Sequence, residues 1–195
     1  IVVLDNPEEF GRLCALPFDG VLPIGIRVAT EEEPQNDMYT SRLGMSSKVV
    51  MKLYKEQIKK EKRVKLQMVH FFINSKIKDT AYYRSELSRL ADVYCDLAWE
   101  CPTLTQLDIW WWFPIQNALD YEFDAAYMLD QIVRTIKHIC DANEITPPHL
   151  VTEFGSYTVG ESGAIVYKII WIKEQNEKEL RYMINSSFIT TLPDT

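Results

Sequence analysis

Gln106-Leu107-Asp108-Ile109-Trp110-Trp111, running on through Trp112-Phe113-Pro114, is a short apolar run that ends at a proline. A run of this length closed by a turn signal reads as a buried strand rather than a helix. Comparable runs recur at residues 1–4, 23–29, 65–73 and 149–154. Most are hydrophobic without alternation, the pattern of strands covered on both faces in a parallel sheet.

Between these runs lie amphipathic stretches, predicted as helices over 46–61, 80–100 and 123–143. Asn6-Pro7-Glu8-Glu9 reads as another helix start, with a capping side chain, proline at the first helical position and acids in the first turn. In 123–143, Ala126, Leu129, Ile132, Val133, Ile136 and Ile139 repeat at three and four and are predicted to face the sheet. Strands alternating with helices predict an α/β fold: a partial (β/α)8 TIM-type barrel with parallel strands over residues 1–157. The pattern then changes. Residues 164–172 and 179–188 read as two strands joined by a charged turn at 173–178. That hairpin is expected to begin a β-rich C-terminal domain spanning 158–195.

The net charge of −7 and a composition of 47% hydrophobic and 25% charged residues describe a globular chain with no positive field for nucleic acid. The one basic cluster, Lys59-Lys60 with Lys62-Arg63, is interleaved with Glu56 and Glu61 and reads as a solvated helix face. No apolar stretch reaches the roughly 18 to 20 residues of a membrane span, and no signal-like leader is visible. A cytoplasmic protein is expected, with neither membrane nor nucleic acid as partner. Cys14, Cys95, Cys101 and Cys140 form no CxxC pair and no spacing with histidine, so free thiols are expected and no metal site. The opening on Ile1 and the break at Leu192-Pro193-Asp194-Thr195 suggest a piece of a longer protein.

In a parallel barrel the active site lies at the C-terminal ends of the strands. The residues there are Ser41-Arg42-Leu43-Gly44, Asn74-Ser75-Lys76, the tryptophan run and Glu153-Phe154-Gly155-Ser156. Three tryptophans in succession do not suit one packed core, because successive strand positions face opposite sides.

Gly25-Ile26-Arg27-Val28, Ser41-Arg42-Leu43-Gly44, His70-Phe71-Phe72-Ile73-Asn74-Ser75, Leu107-Asp108-Ile109 with Phe113-Pro114, and Glu153-Phe154-Gly155 are similar, in order and spacing, to segments of the alanine-racemase-like barrel of pyridoxal-phosphate decarboxylases (fold type III). That group acts on arginine, ornithine, diaminopimelate and related amino acids. The resemblance covers nearly the whole chain. The stretches 152–163 and 78–83 look most like a bacterial arginine decarboxylase branch.

The resemblance implies pyridoxal 5′-phosphate as cofactor and an amino acid as small-molecule substrate. Glu153 matches the acid that pairs with the pyridine nitrogen. Ser75, Gly155 and Ser156 match positions lining the phosphate, Ser156 standing where many relatives have arginine. Phe72 falls where the family often has a histidine stacked on the ring, and His70 lies on the same side of its strand as a candidate catalytic group. Arg27 and Arg42 match positions near the site. Trp110, Trp111 and Trp112 occupy the cofactor-binding turn that is Gly-Gly-Gly in the family, where backbone N–H groups must approach the phosphate closely. Lys76 stands where a small residue is usual.

The family's cofactor-bearing lysine is expected on a strand before Ile1. Its C-terminal cysteine and aspartate are expected beyond Thr195, and homo-oligomers are implied. The expected function of the parent protein is decarboxylation of a basic amino acid, arginine foremost, in polyamine synthesis, with this piece inactive by itself. The alternative is a catalytically dead barrel kept as a binding or scaffold protein, its pocket filled by the tryptophans.

Overall fold

The computed structural model describes residues 1–29, 43–73, 80–111, 124–159, 162–176 and 179–187. Of Ile73, Thr80, Ala81, Tyr82, Trp110, Trp111 and Ser156 it describes the backbone. The chain divides into two compact units, Ile1–Thr158 and Val159–Thr195.

The first unit is built on a five-stranded sheet of β1 (Val2–Leu4), β2 (Leu22–Val28), β3 (Val64–Ile73), β4 (Gln106–Trp111) and β5 (His149–Thr152), paired in that order. Every pairing is parallel. A parallel neighbour requires a crossover, and the connections carry helices α1 (Pro7–Ala15), α2 (Ser47–Glu56), α3 (Thr80–Glu100) and α4 (Ala125–Ala142). This is the α/β architecture of a partial TIM-type barrel, as the strand pattern predicted.

One row across the sheet, Leu4–Ile26–Val69–Leu107, is buried at 3% exposure or less. It shares a core with Phe10 of α1, Val50 and Leu53 of α2, Leu87 and Tyr94 of α3, and Ile132 and Ile136 of α4. Because side chains alternate along a strand, the intervening positions face the other way, and polar residues gather there.

The helices begin where their caps allow. The Asn6 side chain accepts from the Glu9 N–H at 3.0 Å, while Glu9 Oε2 accepts from the Asp5 N–H at 2.7 Å, a reciprocal arrangement that satisfies two backbone donors. The α2 segment stops sooner than its periodicity predicted. Gln57, at φ −126° and ψ −61°, ends it, and Ile58–Lys60 continues as a 3-10 turn that buries Ile58. The basic cluster therefore lies mostly past the helix. Its Arg63, though partly exposed, is tied down, with Nη2 donating to the Cys14 carbonyl at 2.9 Å and its guanidinium 5.1 Å from the Phe18 ring centroid.

The α4 stripe is rotated from the predicted one. Ile132, Ile136 and Cys140 are buried and Ala125, Met128 and Ile139 pack beside them, while Leu129 and Val133 are exposed. Two apolar stripes coexist on this helix, and periodicity alone cannot rank them.

Gly44 is a position that requires glycine. Its φ is +89°, and an added Cβ would lie 2.8 Å from the Ala29 backbone nitrogen. This conformation lets the Gly44 N–H donate to Asp5 Oδ1 at 2.8 Å, joining the loop after β2 to the end of β1.

In the second unit, β6 (Ile169–Asn176) and β7 (Glu179–Ile184) form an antiparallel pair. The first strand runs through Lys173–Asn176, residues predicted as turn. Lys173 pairs with Arg181 and Glu174 with Leu180, so the charged residues extend the ladder on an exposed hairpin.

Candidate functional site

The polar face of the sheet is organised by register. Arg27 of β2, His70 of β3 and Asp108 of β4 are direct partners in one row, and Val151 of β5 continues it. Glu153 lies two residues beyond Val151, so it returns to the same face. The donor atoms of His70, Asp108 and Glu153 all lie within 4.8 Å of one another. His70 and Asp108 are 6% and 3% exposed, whereas Glu153 is exposed at the strand end.

Burial sets the charge of the inner pair. The Asp108 carboxyl is pushed up to about 7 by burial, then by the negative charge of Glu153 and a hydrogen bond with it. Burial pushes His70 down, and the Arg27 charge adds to this, while Glu153 and Asp5 oppose it. The imidazole is accordingly held neutral. His70 Nδ1 and Asp108 Oδ1 have no hydrogen-bond partner among the described residues. A buried polar atom left unmade costs about 1–3 kcal/mol, so two of them in one cluster mark a place prepared for a ligand group or water.

Phe72, two residues beyond His70 on β3, is half-buried, and the Arg27 guanidinium sits 5.9 Å from its ring centroid. Its backbone partner on β4 is Trp110, and Ile73 pairs with Trp111. The ladder thus holds the first two tryptophans as strand.

Of the residues singled out in the sequence, His70 and Glu153 come together, and Phe72 lies on the same strand face as His70. Gly155 begins the short helix α5 (Gly155–Val159), its N–H donating to the Glu153 carbonyl at 2.9 Å. An added Cβ there would meet nothing within 4 Å among the described residues. Ser75, Lys76, Arg42 and Trp112 lie outside the described residues, as do the side chains of Trp110, Trp111 and Ser156.

Asp108, beside the tryptophan run in sequence, is a site residue that the motifs do not single out. An acid inside the apolar run Leu107-Asp108-Ile109 was the available signal, since acids are seldom fully buried without a purpose. The His70–Asp108–Glu153 trio is also, among the described residues, a group with donors close enough for a metal ion. No local spacing could reveal it, because its members come from three strands.

A family model described as "Pyridoxal-dependent decarboxylase, pyridoxal binding domain" matches residues 1–160. The chain belongs to this decarboxylase family.

Among curated relatives, this pyridoxal-binding domain is similar to the biosynthetic arginine decarboxylase of Prochlorococcus marinus strain MIT 9215, at 21% identity over 91% of the chain and 30% of that protein. It is similar also to the chloroplastic arginine decarboxylase 1B of Nicotiana tabacum, at 20% identity over 100% of the chain and 29% of that protein. The chain therefore spans less than a third of the length of these relatives. Among solved structures, the diaminopimelate decarboxylase of M. jannaschii in complex with L-lysine superposes with a TM-score of 0.72 at 20% identity, over 95% of this chain and 44% of that one. The arginine decarboxylase of Campylobacter jejuni gives a TM-score of 0.62 at 16% identity, over 80% of this chain and 26% of that one. At these identities the superpositions establish the fold.

Pyridoxal phosphate is the cofactor of the family, and the described residues of the pyridoxal-binding domain fit its pyridine end. They offer an exposed carboxylate at a strand end, Glu153, backed by a buried carboxyl and a neutral imidazole that each keep one unmatched polar atom. The half-buried Phe72 offers a flat apolar surface on β3, two residues beyond His70.

Proposed function

We propose that this chain is the cofactor-binding part of a pyridoxal-phosphate-dependent decarboxylase of a basic amino acid, arginine foremost, acting in polyamine synthesis. The observation that carries the reading is the position of Glu153, an exposed carboxylate backed by two buried polar groups at the C-terminal edge of a parallel sheet. The cofactor, when bound, supplies an electron sink for the pair left on the substrate carbon after loss of carbon dioxide.

The chain's own residues have four tasks. Glu153 accepts the pyridine N–H and keeps that proton in place. Phe72 gives the ring an apolar surface and excludes water from it, without the hydrogen bond a histidine would add. His70, neutral, lines the floor beneath Glu153 and carries no charge that would compete for its carboxylate. Ser75, Gly155 and Ser156 are assigned to the phosphate, where hydroxyls and backbone N–H groups satisfy a dianion.

A cytoplasmic location, a homo-oligomeric parent and independence from nucleic acid belong to the same reading. So does the division of the chain into a barrel part, residues 1–157, and a C-terminal β domain from 158. No helix among the described residues is long and apolar enough to cross a membrane.

A second reading is favoured by Trp110 and Trp111, whose backbones stay in the ladder where the family needs a glycine turn. It is a barrel that has lost catalysis and serves as a binding or scaffold protein. Release of carbon dioxide from carboxyl-labelled arginine, ornithine and diaminopimelate by the parent protein separates the two. Turnover of one of them supports the decarboxylase, and no turnover with saturating cofactor leaves the scaffold. The 195-residue chain is expected to release none by itself.

A further inference from the structure

Asp108 is a buried acid that no cation among the described residues neutralises. None of the ion pairs among the described residues involves it, and its nearest register neighbour, His70, is kept neutral by burial and by Arg27. Among the described residues, the groups on this face are Asp5 after β1, Arg27 on β2, His70 on β3 and Glu153 after β5. Of these, Arg27 stands two strands away in the same row, against the Phe72 ring. A carboxyl taken out of water beside another carboxylate has one inexpensive course, which is to keep its proton and share it.

We propose that Asp108 is a positioning residue: from inside the sheet it holds a proton against Glu153 and so fixes the direction of the carboxylate that meets the pyridine nitrogen. The donor atoms of the two acids lie within 4.8 Å of each other and of His70. Two charged carboxylates at that distance would repel, and the exposed Glu153 would turn toward water. With the proton on Asp108 the pair attracts, and one Glu153 oxygen is tethered while the other stays available. Asp108 Oδ1 and His70 Nδ1, unmatched among the described residues, are two polar atoms that a bridging water would satisfy.

The tethering of one acid by the other stands apart from the decarboxylase reading; its use in holding a cofactor rests on that reading. The test therefore has two arms, both on the whole 195-residue chain. In the first, aspartate carboxyl carbons are labelled with carbon-13 and titrated by NMR. One resonance should titrate near neutrality, vanish in Asp108→Asn and move to lower pH in Glu153→Gln, a change at an exposed residue that leaves the fold intact. Infrared absorption of a protonated carboxyl just below neutrality, lost above it, reports the same group without any variant. Titration of every aspartate in the ordinary acidic range, or no movement in Glu153→Gln, overturns the tether.

In the second arm, free pyridoxal 5′-phosphate is the probe and its affinity is read from quenching of protein fluorescence. Asp108→Asn keeps an N–H donor toward Glu153 and should bind as the parent chain does, with no loss of affinity as pH rises past neutrality. The parent chain should show that loss. Asp108→Leu removes the donor and should bind about tenfold more weakly, the weight of one hydrogen bond to a charged group. Equal affinity of the leucine and asparagine forms overturns the positioning role. If the 195-residue chain takes up no pyridoxal phosphate, the reading of this chain as the cofactor-binding part fails, while the first arm still decides the tether.

Discussion

A salt-bridged aspartate stabilises a protein as pH rises, and Asp108 should do the opposite. Its carboxyl is held near 7 in the folded chain against an ordinary 3.8, so the folded state binds this proton more tightly than the unfolded state does. The contribution to stability is complete below about pH 4 and is lost as pH climbs to about 7, with an upper bound of about 4 kcal/mol. His70 acts in the reverse sense. Its folded value lies below the ordinary 6.5, so its contribution is complete above that pH and declines as acid charges the imidazole. Urea unfolding of Asp108→Asn should flatten the fall between mildly acid and neutral pH and leave the variant more stable than the parent above neutrality. Gly44 makes a separate demand. Gly44→Ala must place a Cβ at 2.8 Å from backbone at φ +89°, and it should cost about 2 kcal/mol or more in the same measurement.

At the scale of the element, β4 runs into Trp110 and Trp111, where the resemblance implies a glycine turn. The change of Trp110, Trp111 and Trp112 together to glycine restores the backbone freedom a phosphate turn uses. Affinity for pyridoxal 5′-phosphate should rise by tenfold or more in equilibrium binding. An unchanged affinity would overturn the proposal that the tryptophans obstruct the phosphate. The strands were legible in the sequence because burial on both faces leaves uninterrupted apolar runs, and the ladder follows them to within one or two residues at most ends. Asn6 announced α1 by its chemistry. The inward face of α4 was not legible, because Leu129 and Val133 repeat at helical spacing as faithfully as Ile132 and Ile136 do. In the candidate site, Glu153 is singled out by a matching motif and His70 by its side of the strand. Asp108 becomes visible once β3 and β4 are aligned, since register is a property of two strands and neither sequence states it. The hairpin turn was drawn too wide because charged residues were read as loop, although an exposed antiparallel pair accepts them.

At the scale of the whole molecule, the sheet row from Leu4 to Leu107 is where every strand but β5 commits a fully buried side chain. Leu107→Ala should cost about 2–5 kcal/mol, measured by denaturant unfolding. It should loosen the neighbouring Asp108 as well, and so lower the pH at which that carboxyl titrates. The order of the strands in this sheet has a further consequence. Each strand's partner is the one made immediately before it, so no segment must wait for a distant one to complete its pairing. A chain leaving the ribosome can add one helix and one strand at a time to a growing edge, keeping each closure short and its entropy cost small. Assembly of this unit should therefore keep pace with synthesis, and an interruption of translation between β3 and β4 should leave a shorter sheet already paired rather than an unstructured chain.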